Sequence, residues 1–264
     1  MNSLNNTCCK ICGNPSRYIF SKIVMQKYEV KYLECLNCSF VQTEDPYWLD
    51  EAYKKSINDS DTGILVRNHL LSTLTSNYIN TCLDKEKIFL DYAGGYGIFV
   101  RLMRDLGFDF YWDDPYTPNV FAKGFERNLT LKFFEALTIF EAFEHFVNPA
   151  IEAKKLFSMT DTLIFSTHLR PPNFKNMEKW WYLSPHHGQH ISFYSKKSLE
   201  YLGLQNGCKL LTNGVNFHVL TKRNVGNIRF GISTFPIIRK LLFIFFKLYM
   251  NSKTKSDMNF LSKA

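Results

Sequence analysis

The sequence predicts an α/β protein, with a mostly parallel sheet covered by helices on both faces and a small N-terminal metal-binding module. Between residues 85 and 223, apolar segments of strand length alternate with amphipathic segments of helix length, the pattern of a sheet covered on both sides. The stretch "FLDYAGGYGIFV" breaks a strand at glycines and continues as a helix. Two Cys-x-x-Cys pairs lie within the first 38 residues. A chain of 264 residues can bury one substantial core with a small appendage.

Residues 1–44 predict a zinc-ribbon-like module. Cys9 and Cys12 form the first pair, and Cys35 and Cys38 form the second after 22 intervening residues. The segments "SRYIFSKIV" and "KYEVKYLEC" between them have the character of short strands. Two such knuckles can present four thiolates tetrahedrally to a structural Zn²⁺, which would supply much of the folding energy of so short a segment. Cys8 is a competing first ligand, and free buried thiols are the alternative to a metal site.

Residues 45–84 predict a helical linker. In "TGILVRNHLLSTLTSNYINTCL" the apolar residues recur mostly at steps of three and four, which indicates an amphipathic helix. Asp61 or Thr62 is a suitable residue to cap its N-terminus.

Residues 85–223 predict the main domain. Its strands are expected in "IFLDYA", "FDFYWDDPY", "FEALTIF", "DTLIFSTHL", "CKLLTNG" and "VNFHVLTKR", with helices in "IFVRLMRDLG", "IEAKKLFSM" and "SKKSLEYLGLQNG". Asn213 and Gly214 join the last two strands and predict an antiparallel pair at one edge of the sheet.

Residues 224–264 predict an apolar, basic helix followed by a flexible tail. The helix corresponds to "FPIIRKLLFIFFKLYM" and the polar tail to "NSKTKSDMNFLSKA". We expect the helix to pack on the sheet or on a neighbouring subunit. Because basic residues interrupt its aromatic-rich face, peripheral contact with a membrane is the alternative.

The formal net charge of +8 is compatible with nucleic acid, an anionic membrane surface or phosphorylated substrates. The basic residues are not concentrated around the cysteines, so nucleic acid is not the expected partner. No segment has the apolar core of a signal peptide or the roughly 18 apolar residues of a spanning helix. We therefore predict a cytoplasmic protein.

Three ligand classes compete for the glycine turn. A phosphate-binding P-loop needs a lysine that is absent here, and the dinucleotide fingerprint needs a third glycine where the chain has Val100. S-adenosylmethionine carries no phosphate, and small residues such as Gly95 and Gly97 would let the backbone approach it. Asp114, at the end of the next strand, could accept hydrogen bonds from its ribose, and Asp91 could hold its amino group. A solvated strand end is the alternative for the acids.

The motifs "LDYAGGYG", "DDPY" and "FEAFEHFVNP" occur in an order and spacing that resemble the class I S-adenosylmethionine-dependent methyltransferases. The segment "WWYLSPHHGQHISFYSKKSLEYLG" resembles a branch whose motif runs aromatic, Pro, His, Gly, Gln, His and then a helix. The resemblance covers roughly Lys87 to Arg223. Several members of this branch carry a cysteine-knuckle segment and methylate sugars, including surface polysaccharide precursors.

The resemblance implies a Rossmann-like sheet and a cofactor pocket after its first strand. Ala93 stands where the family usually has its first glycine, and the interval between Asp114 and "FEALTIF" is too short for the usual helix and strand. The implied cofactor-binding residues are Asp91, Ala93, Gly95, Gly97, Asp114, Phe140 and Glu141.

The catalytic candidates are histidines expected beyond the carboxyl ends of the strands. A hydroxyl acceptor needs a base, and the match to the branch motif favours His187 and His190, with His145 as a third candidate. A structural role for His145 is an equal alternative, and Glu144 could orient it or bind substrate hydroxyls. A metal site at "HHGQH" is not favoured, because Gly188 indicates a loop and no paired acid is evident.

The aromatic run of Trp180, Trp181 and Tyr182 precedes these histidines. Its rings could stack on a sugar, and a lid packed on the core is the alternative.

The leading hypothesis is methyl transfer from S-adenosylmethionine to a sugar or a sugar-containing small molecule, such as a sugar nucleotide or glycan precursor, in surface polysaccharide or glycan biosynthesis. One alternative is a zinc-knuckle nucleic-acid-binding protein or an RNA methyltransferase. Another is a degenerate methyltransferase fold that acts as a partner protein.

Overall fold

The computed structural model describes residues 7–54 and 61–263. The strands are β1 (Ser16–Val24), β2 (Tyr28–Cys35), β3 (Val41–Thr43), β4 (Ile88–Tyr92), β5 (Asp109–Asp113), β6 (Ala136–Ile139), β7 (Thr162–Ser166), β8 (Ser192–Phe193), β9 (Lys209–Thr212) and β10 (Phe217–Thr221). The α-helices are α1 (Leu49–Ala52), α2 (Ile64–Cys82), α3 (Ile98–Asp105), α4 (Pro149–Phe157), α5 (Phe174–Glu178), α6 (Lys196–Gln205), α7 (Asn227–Thr234), α8 (Pro236–Lys247) and α9 (Thr254–Leu261). Short 3-10 turns lie at Phe143–His145 and Trp181–Leu183.

A four-stranded antiparallel sheet in the order β1-β2-β3-β8 forms the N-terminal module. Strands β1 and β2 confirm the two strands predicted between the cysteine pairs. Strand β8 was not predicted, because its two residues carry no periodicity that a sequence pattern could reveal. It pairs with β3 through Val41 opposite Phe193 and Gln42 opposite Ser192. The segment that contains the predicted catalytic histidines therefore joins the sheet of the cysteine module.

The larger sheet has six strands in the order β5-β4-β6-β7-β10-β9. Strand β4 is parallel to both β5 and β6, whereas β9 and β10 are antiparallel. This confirms the predicted α/β class and the antiparallel pair at one edge. In the β9–β10 loop, the side-chain oxygen of Asn213 accepts the backbone N–H groups of Val215, Asn216 and Phe217.

Aromatic residues fill the core beside the first parallel strands. The Phe89 and Phe110 rings stack at 5.0 Å, and Phe99 meets Phe110 edge-on at 5.6 Å. The chain between β5 and β6 forms neither a helix nor a strand, as its short length predicted. Residues of this irregular segment, among them Asn119 and Ala122, pack on the glycine turn.

The polar tail was expected to be flexible, but it forms helix α9. Asp257 on this helix is buried and accepts two hydrogen bonds of 2.8 Å from Arg104. Arg101 donates a third, at 2.9 Å, to the same carboxylate. A buried carboxylate is stable only when it is paired, and its partners lie about 150 residues upstream in α3. The local sequence alone could not show this pairing.

Within the described residues, no helix combines the length and the apolar character that a bilayer crossing requires. The chain groups into two compact units, each drawn from several stretches. The first unit comprises Met1–Asn58, Glu141–Phe157 and Phe165–Lys222, and the second comprises Asp59–Phe140, Ser158–Ile164 and Arg223–Ala264. The cysteines and the candidate histidines belong to the first unit, and the glycine turn belongs to the second.

Candidate functional site

The glycine turn links β4 to α3 in the second unit. Ala93, Gly95 and Gly97 all adopt left-handed backbone conformations, with φ of 59°, 53° and 82°. The Ala93 N–H donates to the Asp113 carbonyl at 2.8 Å, which fixes the turn against the end of β5. A left-handed conformation costs an L-residue about 1–2 kcal/mol. Ala93 therefore holds a strained conformation that glycine would adopt freely.

Neighbouring protein atoms explain why two positions in this turn are glycine. A Cβ atom on Gly97 would lie 2.7 Å from the Asn119 side-chain oxygen and 2.9 Å from the Ala122 Cβ. A Cβ atom on Gly94 would lie 2.7 Å from the Trp112 ring. These glycines let the chain after β5 pack on the turn, so the glycine pattern alone does not identify a ligand.

Asp91, at the end of β4, is a buried carboxylic acid. The Thr138 hydroxyl donates to its Oδ1 at 2.6 Å. The pKa of Asp91 is raised to about 7, mainly by burial and in part by the negative charge of Asp114, against the lowering effect of the Thr138 hydrogen bond. The carboxylate form of Asp91 would therefore be stabilised by a cation bound beside it.

Asp114 directly follows β5, and its carboxylate is hydrogen-bonded to the glycine turn. Its carboxylate accepts the backbone N–H groups of Gly95 at 2.9 Å, Tyr116 at 2.8 Å and Thr117 at 3.1 Å. A carboxylate has about four lone-pair directions, so these bonds leave capacity for one more donor.

Phe140 and Glu141 follow β6. The Phe140 ring packs edge-on against Phe99 at 4.8 Å. Glu141 has a φ of 52°, and its backbone N–H donates to the Ser166 hydroxyl at 2.9 Å. The same hydroxyl donates back to the Glu141 carboxylate at 2.6 Å. Glu141 is therefore held in a strained backbone conformation by a reciprocal pair of hydrogen bonds.

The structure brings the four predicted cysteine ligands together in what we call the cysteine cluster: Cys9, Cys12, Cys35 and Cys38. Their sulfur atoms all lie within 4.8 Å of one another, and none is in a disulfide. The Cys9–Cys38 and Cys12–Cys35 sulfur pairs are 3.6 and 3.4 Å apart. Four thiolates about 2.3 Å from a tetrahedral Zn²⁺ would be about 3.8 Å apart. The donor set and its size therefore fit zinc.

Backbone groups of the knuckles support this thiolate set. The Ile11 N–H donates to the Cys9 sulfur, and the N–H groups of Asn37 and Cys38 donate to the Cys35 sulfur, all at 3.4 Å. Cys8, the competing ligand considered from the sequence, is exposed and lies outside the cluster.

A second set of ligand-type side chains lies in the first unit: Glu144, His145 and His190, which we call the acid–histidine cluster. Their ligand atoms also lie within 4.8 Å of one another. Glu144 is buried, and neither of its carboxylate oxygens makes a hydrogen bond of ordinary length among the described residues, although the Tyr182 and Thr167 hydroxyls lie nearby and lower its pKa. Burial raises the pKa of Glu144 to about 8 and lowers that of His145 to about 3. Burial also lowers the pKa of His190 well below its usual value, so both imidazoles are neutral.

Hydrogen bonds between two chain segments hold this cluster together. The Ile191 N–H donates to the Glu144 carbonyl at 2.9 Å. The Ser192 hydroxyl donates to the Phe146 carbonyl at 2.7 Å, and the Tyr194 hydroxyl donates to the Phe143 carbonyl at 2.8 Å. The 3-10 turn and strand β8 are therefore fixed in register, which places His190 beside His145.

The ring nitrogens of the three candidate histidines have different partners. His190 Nδ1 donates to the Tyr182 carbonyl at 2.6 Å, which leaves the lone pair on Nε2. His187 Nδ1 accepts the Gln189 N–H at 3.1 Å, so the proton of the neutral ring lies on Nε2. His145 Nδ1 contacts the Tyr53 hydroxyl at 2.8 Å. His190 is thus suited to accept a proton or bind a metal, whereas His187 is suited to donate a hydrogen bond.

Residues 43–52, in β3 and in the segment that follows it, hold the loop that contains these histidines. The Trp48 indole donates to the Gly188 carbonyl at 2.8 Å, and the Gln189 side chain donates to the Ala52 carbonyl at 2.9 Å. The Thr43 N–H donates to the Ile191 carbonyl at 3.0 Å. No sequence pattern indicates these bonds, because each joins residues more than 130 positions apart.

The aromatic run before the histidines divides into core and surface. Tyr182 is buried, whereas 67% of Trp181 is exposed. His168 lies beside both rings, with centroid distances of 5.1 Å to Trp181 and 4.8 Å to Tyr182. Tyr182 is therefore part of the core, as the alternative reading of the run expected, and Trp181 keeps a ring face available for a ligand. His168 and Tyr53 were not among the predicted site residues, since neither lies in a recognisable motif.

Comparison with known proteins identifies the domain. A family model described as a methyltransferase domain matches residues 67–213, which is more than half of the chain. No curated protein matches the chain in sequence.

Several solved methyltransferase structures resemble the chain. An S-adenosylmethionine-dependent methyltransferase of Thermotoga maritima is 16% identical and aligns over 67% of this chain and 100% of that chain, with a TM-score of 0.46. The magnesium protoporphyrin IX methyltransferase of Synechocystis, with bound S-adenosylhomocysteine, is 12% identical over 66% and 94% of the two chains, with a TM-score of 0.42. A chain from the complex of the Haloferax volcanii Trm112 activator with a methyltransferase is 11% identical. The alignment covers 66% of this chain and 98% of that chain, with a TM-score of 0.47.

The matched region runs from helix α2 to the loop after β9, and it contains the glycine turn, both acids beside it and the acid–histidine cluster. The chain therefore belongs to the methyltransferase domain family.

Proposed function

We propose that the enzyme methylates a hydroxyl group of a sugar or sugar-containing small molecule, such as a sugar nucleotide or a glycan precursor of a surface polysaccharide. The observation that carries this proposal is the combination of half-buried neutral histidines with an exposed aromatic ring in the first unit. The exposed face of Trp181 offers a surface on which a sugar ring can stack. A neutral imidazole is the form that can take up a hydroxyl proton.

The acids of the glycine turn fit the cofactor. S-adenosylmethionine carries a sulfonium and an ammonium group, and a cation beside Asp91 would lower its raised pKa. Asp114 keeps one lone-pair direction that a ribose hydroxyl could fill. Ala93, Gly95, Gly97 and Phe140 belong to the same turn and its flank, and Glu141 lies in the kink that follows. We propose all seven predicted residues as the cofactor-binding set.

Methyl transfer from a sulfonium is an in-line displacement, in which alignment supplies much of the rate. The acceptor oxygen forms the new bond to the methyl carbon, and the carbon–sulfur bond breaks with its electron pair returning to sulfur. The hydroxyl proton must leave as this bond forms. We assign this activation to the acid–histidine cluster, and we assign to His187 the donation of a hydrogen bond to the acceptor from Nε2.

We also propose a structural Zn²⁺ in the cysteine cluster. With four cysteine ligands such a site has no open coordination position. Its role would be to stabilise the N-terminal module, which in turn supports the loop containing His187 and His190.

Two measurements test the enzyme and its acceptor separately. Calorimetric titration with S-adenosylmethionine should show binding to the wild-type protein and at least tenfold weaker binding to Asp91→Asn. S-adenosylhomocysteine release should then rise on addition of sugar nucleotides or polysaccharide fragments. The control variant His186→Asn should behave like the wild type in both measurements, because His186 is exposed and lies outside the acid–histidine cluster. Cofactor binding without release on any hydroxyl-bearing sugar would reject the acceptor class, and absence of cofactor binding would reject the enzyme.

The apolar side of helix α8 supports a lipid-linked acceptor. Its exposed residues include Ile237, Leu241, Ile244, Phe245 and Leu248. Lys240 and Lys247 are exposed on the same helix. An apolar helix surface with basic residues is the pattern of an element that lies in the interface of an anionic membrane. We therefore propose that α8 brings the enzyme to such a membrane.

Flotation with vesicles tests this second proposal. The protein should float with vesicles rich in phosphatidylserine and much less with pure phosphatidylcholine. The double variant Leu241→Glu with Ile244→Glu should stay in the soluble fraction. Leu204→Glu, at an exposed apolar residue on α6, should float like the wild type. Equal behaviour of the two variants would reject the role of α8, and self-association that only the double variant abolishes would assign this surface to a second copy of the chain.

A further inference from the structure

We infer that Glu144, His145 and His190 form a binding site for a divalent first-row transition-metal ion, separate from the cysteine cluster. The three side chains each offer one ligand atom, and these atoms all lie within 4.8 Å of one another. A metal held by carboxylate oxygen and imidazole nitrogen at about 2.0–2.2 Å brings its ligand atoms to roughly 3–4 Å from one another. A small adjustment of the side chains would therefore complete the site.

The ring nitrogen contacts direct the lone pairs of both histidines toward the cluster. His190 Nδ1 donates to the Tyr182 carbonyl at 2.6 Å, so Nε2 carries the lone pair. A Nδ1–H group on His145 can donate to the Tyr53 oxygen, 2.8 Å away, which leaves its Nε2 free in the same way. A histidine that ligates a metal usually donates its other ring N–H to a carbonyl or another oxygen, because this bond fixes the tautomer and the ring orientation. Both rings have such a partner.

The Glu144 carboxylate supplies an independent observation. Glu144 is completely buried, and within the described residues neither of its oxygens makes a hydrogen bond of ordinary length; the nearby hydroxyls of Tyr182 and Thr167 are its polar neighbours. Burying a carboxylate without such a bond is destabilising, and more so when it is charged. A bound cation would satisfy one or both oxygens. The position of this acid beside two imidazoles is thus what a metal site requires.

The ligand types indicate the class of ion. Two imidazoles and one carboxylate suit Zn²⁺ or Fe²⁺, whereas Mg²⁺ and Ca²⁺ prefer oxygen ligands. Three protein ligands leave at least one coordination position open, as in catalytic zinc sites. The sequence pattern "HHGQH" did not favour a metal because it contains no acid. The acid is Glu144, which the hydrogen bond from Ile191 N–H to the Glu144 carbonyl brings beside His190.

The ion would have a chemical role that rests on the proposed function. A divalent ion lowers the pKa of a hydroxyl group that it binds, so the hydroxyl proton can pass to water before methyl transfer. With the ion bound, His145 and His190 act as its ligands and not as the proton acceptor. Metal binding can be measured without cofactor or acceptor, so the site stands or fails independently of the acceptor class.

Metal content of the full-length protein tests the inference. Wild-type protein equilibrated with Zn²⁺ and freed of loosely bound metal should contain two ions per chain by mass spectrometry. His190→Asn and Glu144→Gln should each contain one, and Cys38→Ser should lose the other ion instead. Loss of a direct ligand should weaken binding by more than about 100-fold, because loss of an outer partner alone costs about 10- to 100-fold. Tyr53→Phe, which removes such an outer partner, should weaken it about tenfold.

Cobalt substitution distinguishes the two sites and controls for misfolding. Co²⁺ in the cysteine cluster should give an intense sulfur-to-metal charge-transfer band, and this band should be unchanged in Glu144→Gln and His190→Asn if the variants are folded. A second Co²⁺ should give weaker visible bands without sulfur character in the wild type and in His186→Asn. The inference is overturned if the wild type holds a single ion, or if the second ion remains in both ligand variants while the charge-transfer band shows them to be folded.

Discussion

The cysteine cluster and the acid–histidine cluster lie in the same unit, yet their ligand atoms are satisfied in different ways. The cysteine sulfurs lie 3.4–3.6 Å apart in pairs and accept N–H groups from their own knuckles. The Glu144 carboxylate accepts no hydrogen bond of ordinary length among the described residues. The first cluster is a set of four thiol ligands, and the second has unused bonding capacity. This difference is the reason why we propose a folding role for the first cluster and a chemical role for the second.

The two clusters are also connected. The cysteine knuckles flank β1 and β2, and the same sheet continues through β3 to β8, which begins two residues after His190. The Trp48 indole adds a direct bond to the histidine loop at Gly188. Metal at the cysteine cluster should therefore stabilise the loop that completes the acid–histidine cluster, whereas the reverse influence should be weak. This asymmetry can be tested.

Removal of one cysteine ligand should have the largest effect. Cys38→Ser should lose the metal of the cysteine cluster and destabilise the protein by more than about 4 kcal/mol, because the free energy of binding to such a site is also free energy of folding. For a chain of this size that corresponds to a fall in Tm of about 10 °C. The measurement is thermal unfolding with metal content. Cys8→Ser, at an exposed cysteine outside the cluster, should match the wild type; a comparable loss in both variants would contradict the assigned ligand set.

The pH dependence of stability tests a group that belongs to neither cluster. Asp91 keeps its proton in the folded protein up to about pH 7, whereas an ordinary aspartic acid loses it near pH 3.8. Between these values the folded state binds more protons at Asp91, so the contribution of Asp91 to the free energy of unfolding should fall as pH rises from 4 to 7 and change little above. Glu144 and the histidines, whose pKa values are also shifted, contribute alike in the wild type and in an Asp91 variant. A shift of roughly three pKa units corresponds to about 4 kcal/mol.

The amide side chain of Asp91→Asn cannot ionise, so this variant should lack the Asp91 contribution to the pH dependence of the free energy of unfolding. Urea unfolding at pH 5 and pH 8 should show the variant gaining stability over the wild type at the higher pH. Asp50→Asn, at an exposed residue on α1, is the control. If the wild type and Asp91→Asn lose equal stability between the two pH values, the titration belongs to another group and the clusters become the candidates.

The cysteine cluster shows how much of the site the sequence could predict. Its ligands were predicted residue by residue, because each knuckle places two thiolates by local geometry and the spacing is visible in the chain. The six strands of the larger sheet, the helices between them and the short β5–β6 interval were also predicted, since periodicity and segment length report on them. Local rules therefore recovered the larger sheet and the four clustered cysteines, whereas β3, β8 and α9 were not predicted.

The acid–histidine cluster shows what the sequence could not predict. His145 and His190 were identified as candidates, but their proximity to one another depends on hydrogen bonds between the 3-10 turn and β8. The role of Tyr53 and the burial of Glu144 depend on the same packing. Helix α9 was missed for a related reason, since Asp257 finds its arginine partners in a distant helix. Long-range polar partners leave no periodic signal.

Trp48→Phe should weaken the connection between the clusters. It keeps most of the buried ring but removes the N–H that donates to Gly188, and an unpaired buried carbonyl costs about 1–3 kcal/mol. The expected result is a matching loss of stability, with full metal in the cysteine cluster and weaker binding of the second ion. Unfolding curves and metal content measure the two effects. Trp181→Phe, at the exposed tryptophan, should affect neither; retention of both ions at wild-type affinity in Trp48→Phe would show that the connection does not matter.

Ala93→Gly should produce the smallest effect, and of opposite sign. Ala93 has a φ of 59°, and glycine adopts this conformation without the cost of about 1–2 kcal/mol that an L-residue bears there. The greater entropy of glycine in the unfolded chain opposes this gain by about 0.4–1 kcal/mol, so the net stabilisation should be about 0.5–1 kcal/mol. Urea unfolding measures it, and Ala150→Gly in the first turn of α4 should instead destabilise by a similar amount. Because the glycine turn lies in the second unit, neither metal content nor the Cys38→Ser effect should change. An altered metal content in Ala93→Gly would mean that backbone strain at this turn reaches the clusters, and the two regions would then have to be treated as one.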